Sequence, residues 1–431
     1  IREQTKQNKR KKDIMQSIRE FYKIGNGPSS SHTMGPKRAS LEFKETYHEA
    51  DEYQVILYGS LAFTGKGHLT DKIIQEAFFP KKVEIVFDKK TECKIHPNTM
   101  DLKAFKDNKE IGNWRVYSIG GGSIQIEGKA KEEKKDIYPI TTLNEIKDYC
   151  IKNEITLSDY VYQIEDTEIK EYLSEVWKAM KNAVEEGIKT EGEIPGKLNL
   201  RRRAREIYEN MIENESMQMK QSRMLTAYAY AVSETNACGG IIVTAPTCGA
   251  SGVLPSVLYY LYKEENYKEN EIIDGLATAA LIGNLVKENA SISGAECGCQ
   301  AEVGTACSMA AAAYAEIKRY SMDQIESAAE IAMEHHLGLT CDPIYGYVQI
   351  PCIERNAVAS MRAIDSANIA YLVAKSSKIS FDMVVDTMYE TGKDLQSHYR
   401  ETSEGGLAKK YCRNKYYNPN LKQESEEASK E

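Results

Sequence analysis

Three histidines in the first quarter of this 431-residue chain stand beside Gly, Pro and hydroxyl residues, where side chains are displayed rather than packed. The run Pro28-Ser29-Ser30-Ser31-His32-Thr33-Met34-Gly35-Pro36 leads into a helical pattern over residues 37–45. Hydroxyls and free backbone N–H groups at a helix N-terminus suit an anion such as a carboxylate, and three serines beside a histidine exceed what an N-cap needs. His68 closes the Gly65-Lys66-Gly67 turn ahead of a helix start at Thr70 and Asp71, and His96 stands in a His96-Pro97-Asn98 loop. Singly, each reads as a surface histidine. As a set, His32, His68 and His96 are candidates for acid–base work near neutral pH.

Cysteine is the other reactive type. Of the ten, Cys238, Cys248, Cys297, Cys299, Cys307, Cys341 and Cys352 fall within residues 238–352. None forms C-x-x-C, so zinc-ribbon, thioredoxin and local ferredoxin readings fail. Cys297 and Cys299 are two apart and would face different sides of a helix. From spacing alone, buried structural thiols are the default and a metal or catalytic site is the alternative. Ser118-Ile119-Gly120-Gly121-Gly122-Ser123 fits neither the dinucleotide nor the P-loop signature. A pyridoxal phosphate cradle would also need a Schiff-base lysine, and no lysine signature is recognisable. Close backbone approach between strands is the favoured role for these glycines.

Two kinds of element must position these groups. Residues 53–58 and 82–87 read as strands, 115–119 and 123–127 as a hairpin or kinked strand, and 70–77 as a short helix. Residues 128–136 are a charged, low-complexity linker. Beyond them, helical periodicity covers 143–153, 167–186, 201–232, 270–286, 301–318, 322–335, 357–374 and 381–389, with strand signals nearly absent. The expected architecture is a small α+β N-terminal domain (13–130) followed by a larger all-α catalytic domain (140–412). Residues 1–12 should fray, and the polar tail 413–431 should be disordered.

Composition narrows the function class. With 42% apolar and 28% charged residues the chain is an ordinary globular protein. A net charge of -8 argues against nucleic acid or an anionic membrane as partner. Residues 235–262 carry no charge, but Pro246, Pro255 and four glycines interrupt them, so a buried loop-and-helix segment is expected rather than a membrane span. The opening IREQTKQNKRKKDIM lacks the apolar run of a signal peptide, which points to the cytoplasm; it begins with Ile rather than Met, so the natural start is expected upstream.

Taken together, PSSSHTMGPKRA, YGSLAFTGKGH, HPNTMD, SIGGGS, ETNACGGIIVTAPTCGASGVLP, SGAECGCQAEVGTACSMAA, CDPIYGYVQIPCIERN and YRETSEGGLA resemble, in order, the iron–sulphur-dependent L-serine dehydratases (L-serine ammonia-lyases) in their single-chain form. The likeness covers nearly all of residues 15–412. It implies a beta-type α+β domain, an alpha-type helical domain, and a homodimer. It also implies a [4Fe-4S] cluster, not pyridoxal phosphate, held by Cys299, Cys341 and Cys352, with Cys297, Cys307, Cys238 and Cys248 outside the ligand set. An iron without a thiolate would act on L-serine as a Lewis acid. His68 and His96 become the catalytic acid–base candidates, in either order. Ser30, Ser31, His32 and Thr33 would line the substrate, joined by Lys66 and Asn98, in a site between the domains.

Single-chain members usually end just after a cysteine that follows GGLA and occupies the open iron. Here 19 residues follow Cys412, so it is expected to reach the cluster weakly or transiently, if at all. Threonine, cysteine or another β-substituted amino acid stays open as substrate, since one methyl is worth only about 1–3 kcal/mol. A non-catalytic amino-acid sensor with a structural cluster is the rival from another class.

Overall fold

Period-two alternation in Glu52–Tyr58 and Lys82–Asp88 does produce adjacent strands, and they run parallel. The computed structural model describes residues 14–414 apart from 92, 94 and 130–135. The expected lead-in, most of the linker and nearly all of the tail lie outside the described residues.

Two short strands, β1 (Met15–Gln16) and β2 (Ile24–Asn26), come first. The small sheet follows, built from β3 (Glu52–Tyr58), β4 (Lys82–Asp88), β5 (Thr99–Lys106), β6 (Lys109–Gly120) and β7 (Ser123–Ile126) in the order β4-β3-β5-β6-β7. Every pairing but β3–β4 is antiparallel. The parallel pair needs a crossover, supplied by α2 (Gly59–Thr64) and α3 (Thr70–Phe78). α3 and α1 (Gly35–Thr46) bury Phe43, Ile74 and Phe78 with Leu57, Leu102 and Trp114 of the sheet. Gly121 and Gly122, at φ +58° and +76°, make the tight β6–β7 turn. No atom lies within 4 Å of where a Gly121 Cβ would sit, so Gly121 serves turn geometry alone, whereas a Gly122 Cβ would also crowd Met34 Cβ at 3.3 Å.

β8 (Asp136–Tyr138) leads into the larger, helical part. Its helices are α4 (Leu143–Asn153), α5 (Leu157–Ile164), α6 (Ile169–Lys189), α7 (Ala204–Glu209), α8 (Met217–Ala237), α9 (Val253–Lys263) and α10 (Glu269–Asn289). After these come α11 (Gly294–Cys297), α12 (Thr305–Ile317), α13 (Met322–Glu334), α14 (Cys352–Val373), α15 (Phe381–Asp394) and α16 (Gly406–Arg413). α12 is buried at every position, and its alanines let α9, α10, α13 and α14 approach on all sides. None of the described helices is long and apolar enough to cross a membrane. Residues 235–262 form the end of α8, the strand β9 (Ile241–Val243), a turn and α9.

The structure departs from expectation in several further places. The helical pattern over 201–232 is two helices, because Ser216 caps α8 by accepting from Met219 N and starts it afresh. The second part is not purely helical, because β9 pairs antiparallel with β2. The first strands pack with the helices rather than the small sheet. β1 pairs with β8, Met15, Ile18, Phe21 and Tyr22 join the helical core, and Tyr22 Oη donates to Leu276 O at 3.0 Å. Residues 15–26 thus belong by packing to the helical part, although sequence order groups them with the small sheet. Contacts more than a hundred residues away outweigh local pattern here.

Candidate active site

Residues Ser30–Met34 coil as one wide π-helical turn ahead of α1, begun by Ser29, whose side chain accepts from His32 N. His32 is thereby buried with a hydroxyl on each ring nitrogen: Ser31 Oγ lies 2.9 Å from Nδ1, and Ser60 Oγ, at the start of α2, lies 3.0 Å from Nε2. His68 packs on it, ring centroids 4.6 Å apart. Thr33 Oγ1 donates to His68 O at 3.0 Å, and Thr70 Oγ1 donates to His32 O at 2.7 Å, so each threonine fixes the other segment's histidine.

The protonation of His68 follows from its partner. Its Nδ1 lies 3.1 Å from Thr64 O, and a carbonyl can only accept, so Nδ1 carries the hydrogen and Nε2 keeps a lone pair. Burial pushes its pKa down to about 4, and burial together with the neighbouring His68 lowers that of His32 well below the usual range. Both imidazoles are neutral at pH 7.

The other loops close on the same place. Ser60 N donates to Pro97 O at 2.9 Å, Ser118 N to Asn98 O at 2.9 Å, and Ser118 Oγ to Ser31 O at 2.7 Å. The half-buried His96 accepts from Asn98 N through Nδ1 at 3.1 Å, which leaves its hydrogen on Nε2. Burial lowers its pKa as well. Asn98 Oδ1 is buried without a hydrogen-bond partner among the described residues, an acceptor awaiting a donor. Lys66 differs: it is exposed, its ammonium 5.5 Å from the Phe87 ring centroid, outside this network. Ser30 is half-buried, while Thr33 is buried and engaged with His68.

The small sheet meets the helical part along this cluster. Gly27 N donates to Gly240 O at 3.0 Å and Asn236 Nδ2 to Pro28 O at 3.3 Å, while Gly67 stands where a Cβ would touch the Tyr347 ring at 3.0 Å. Tyr347 belongs to the segment between Cys341 and Cys352. Cys299 follows Gly298, whose φ of +74° turns the chain out of α11, Cys341 bridges to Arg400 beside the tail, and Cys352 opens α14.

The three thiols share one environment. A hydrogen bond from Cys341 lowers the pKa of Cys299, and the same bond raises that of Cys341. Burial, then the charge of Cys299, raises Cys352. Arg355 lies against Cys299, and Glu302 Oε2 is 3.8 Å from Cys341 Sγ while Oε1 accepts from Thr247 Oγ1 at 2.7 Å. A Cβ at Gly294 would stand 3.2 Å from Cys341 Sγ, so only glycine leaves this space open. Among the described residues no group of three or more His, Cys, Asp or Glu is arranged to hold a single metal ion. A cubane takes one thiolate per iron, and the Cys299–Cys341 hydrogen bond, with Cys352 in reach of the Cys299 charge, groups three such donors.

The remaining cysteines sit otherwise. Cys307 Sγ donates to Ala359 O at 3.2 Å inside α12, Cys297 packs on Gly392, Cys248 is buried, and Cys238 is half-buried beside Arg202. Cys412, half-buried on α16, is hydrogen-bonded to Tyr345, and burial raises its pKa. Sequence reasoning passed over Ser60, Ser118, Asn236, Glu302 and Arg355, although each lies inside a motif it had singled out.

The family model described as "Serine dehydratase alpha chain" matches residues 64–408, and "Serine dehydratase beta chain" matches residues 17–77. The chain is 42% identical to an L-serine dehydratase of Haemophilus influenzae, across 92% of this chain and 99% of that protein. It is 39% identical to L-serine dehydratase 2 of Escherichia coli (92% and 99%) and 39% identical to an L-serine dehydratase of Streptomyces coelicolor (91% and 98%).

Proposed function

The chain belongs to the serine dehydratase family, and on that premise we propose that it is an L-serine ammonia-lyase converting L-serine to pyruvate and ammonia. The observation that carries this reading is the packing of the His32 segment on His68, braced by the His96 and Ser118 loops, around a neutral imidazole whose Nε2 keeps its lone pair. A [4Fe-4S] cluster on Cys299, Cys341 and Cys352, when bound, supplies Lewis-acid character that eases departure of the substrate hydroxide.

The chain's own residues do the rest. His68 Nε2 takes the α-proton of serine, and Thr64 O holds the ring in the tautomer that permits it. Stacking on His32 keeps the ring in place, with Ser31 and Ser60 satisfying the second imidazole. His96 presents Nε2–H as a donor toward substrate oxygen, and Asn98 Oδ1 is an acceptor for the ammonium. Ser30 and Ser31 supply hydroxyls for the carboxylate. Loss of the α-proton and the hydroxide leaves 2-aminoacrylate and water; tautomerisation to the imine and hydrolysis then release pyruvate and ammonia.

The family likeness supports the cytoplasm as location, to be checked by fractionation, and a homodimer, to be checked by sedimentation. The test of function is pyruvate release by anaerobically purified protein given L-serine, L-cysteine or, as 2-oxobutyrate, L-threonine. No oxo acid from any of them, with the visible chromophore intact, would refute the proposal and favour the sensor.

A further inference from the structure

The Cys341 and Cys352 segments and the C-terminal helix meet at one buried carboxylate. Asp342, next to Cys341, is 2% exposed. Its Oδ1 accepts from Arg355 Nη2 at 3.2 Å and from Thr340 Oγ1 at 3.3 Å, and its Oδ2 accepts from Leu407 N at 2.6 Å in the first turn of α16. At Gly406 φ is +50° and a Cβ would run into this carboxylate, so the tail fits here only as glycine.

Arg355 extends the connection. It lies three residues after Cys352 on α14, donates Nη1 to Thr340 O at 2.6 Å, and its guanidinium reaches the Cys299 thiol. The tail runs beside the Cys341 segment: Cys341 N donates to Tyr399 O and Glu401 N to Cys341 O, both at 2.8 Å, and Ser403 Oγ donates to Pro343 O at 2.6 Å. A buried ion pair is a poor choice for stability alone, because desolvation offsets most of its attraction. What a guanidinium fork and a two-oxygen acceptor do supply is direction, fixing several backbone segments at once.

We propose that Asp342 is a positioning residue which, with Arg355, latches α16 to the Cys341 segment and thereby holds Cys299, Cys341 and Cys352 at the spacing a cluster requires. The positioning half rests on the cluster reading above; the latch itself rests on geometry alone.

Two rates measured on the anaerobically purified full chain test it: trypsin cleavage at the exposed Lys409 and Lys410 of α16, and bleaching of the visible absorbance in air. Cleavage within a helix requires local opening, so it reports docking of the tail without reference to activity. Asp342→Asn should raise both rates roughly tenfold, the scale of one charge-assisted hydrogen bond. Gly406→Ala, which keeps both partners of the ion pair and crowds the tail against the carboxylate, should do the same. Arg355→Lys should speed bleaching while leaving cleavage within about twofold, since the bond from Leu407 N to Asp342 survives it. Wild-type cleavage in both Asp342→Asn and Gly406→Ala overturns the latch, and faster cleavage with wild-type bleaching overturns the positioning role. Protein that never shows visible absorbance would sink the cluster reading, and the cleavage rates would still decide the latch.

Discussion

Acidification should weaken the small sheet domain through His68. The folded pKa of about 4 lies below the ordinary value of 6.5, so as pH falls the unfolded chain binds its proton first. The contribution of His68 is therefore fully present above pH 6.5 and is lost as pH falls towards 4. The full shift corresponds to roughly 3 kcal/mol, of which about 2 kcal/mol is lost by pH 5. The chain has two tryptophans, Trp114 in the small core and Trp177 in the helical core. A Trp177→Phe background therefore leaves Trp114 to report on the small domain. Urea midpoints at pH 7.5 and pH 5 should differ less in His68→Asn than in its parent, by about 2 kcal/mol. Asparagine keeps a donor for Thr64 O but does not titrate, and carboxylates common to both proteins cancel in the comparison. His32 shifts in the same sense, because losing His68 removes a charge that depresses its pKa. Equal losses in the two proteins would mean that His68 is not held neutral by burial, and its role as a base would fall with that.

Other outcomes follow from the same geometry. Cys299→Ala, Cys341→Ala and Cys352→Ala should each remove the brown chromophore and the activity, whereas Cys307→Ala, deep in α12, should keep both at a cost of about 1–2 kcal/mol in stability; a dispensable Cys299 would break the ligand assignment. Air should inactivate the enzyme and hydroxylamine should not act as on a bound aldehyde; a ~420 nm band abolished by one lysine substitution would overturn the cofactor assignment. With Cys412 bonded to Tyr345, rapid mixing of the full chain with serine should show no lag in pyruvate formation, and a lag abolished by Cys412→Ser would prove the tail thiol a ligand.

Local pattern determined a good deal of this protein. Alternation marked Glu52–Tyr58 and Lys82–Asp88, and helical periodicity placed Leu143–Asn153 and Met322–Glu334 nearly to the residue, because those segments carry their own apolar face. The motifs around His32, His68, His96 and the cysteines were visible for a related reason: clusters of glycine, proline and hydroxyl residues interrupt both helical and strand periodicity. β5 was missed because its first residues read as part of the His96 loop, and the β2–β9 pair because three-residue strands have no period to detect.

What tertiary structure alone decided is which of these groups touch. That His68 carries its hydrogen on Nδ1 depends on Thr64 O, and that His32 is bracketed by hydroxyls depends on Ser60, twenty-eight residues away. That Arg355 reaches Cys299, and Asp342 the amide of Leu407, depends on how α14 and α16 dock. Hydrogen bonds and desolvation act over a few ångströms, while sequence records only separation along the chain. The residue types proposed to do the chemistry were therefore legible in the sequence; their protonation states and partners came into being when the chain closed on itself.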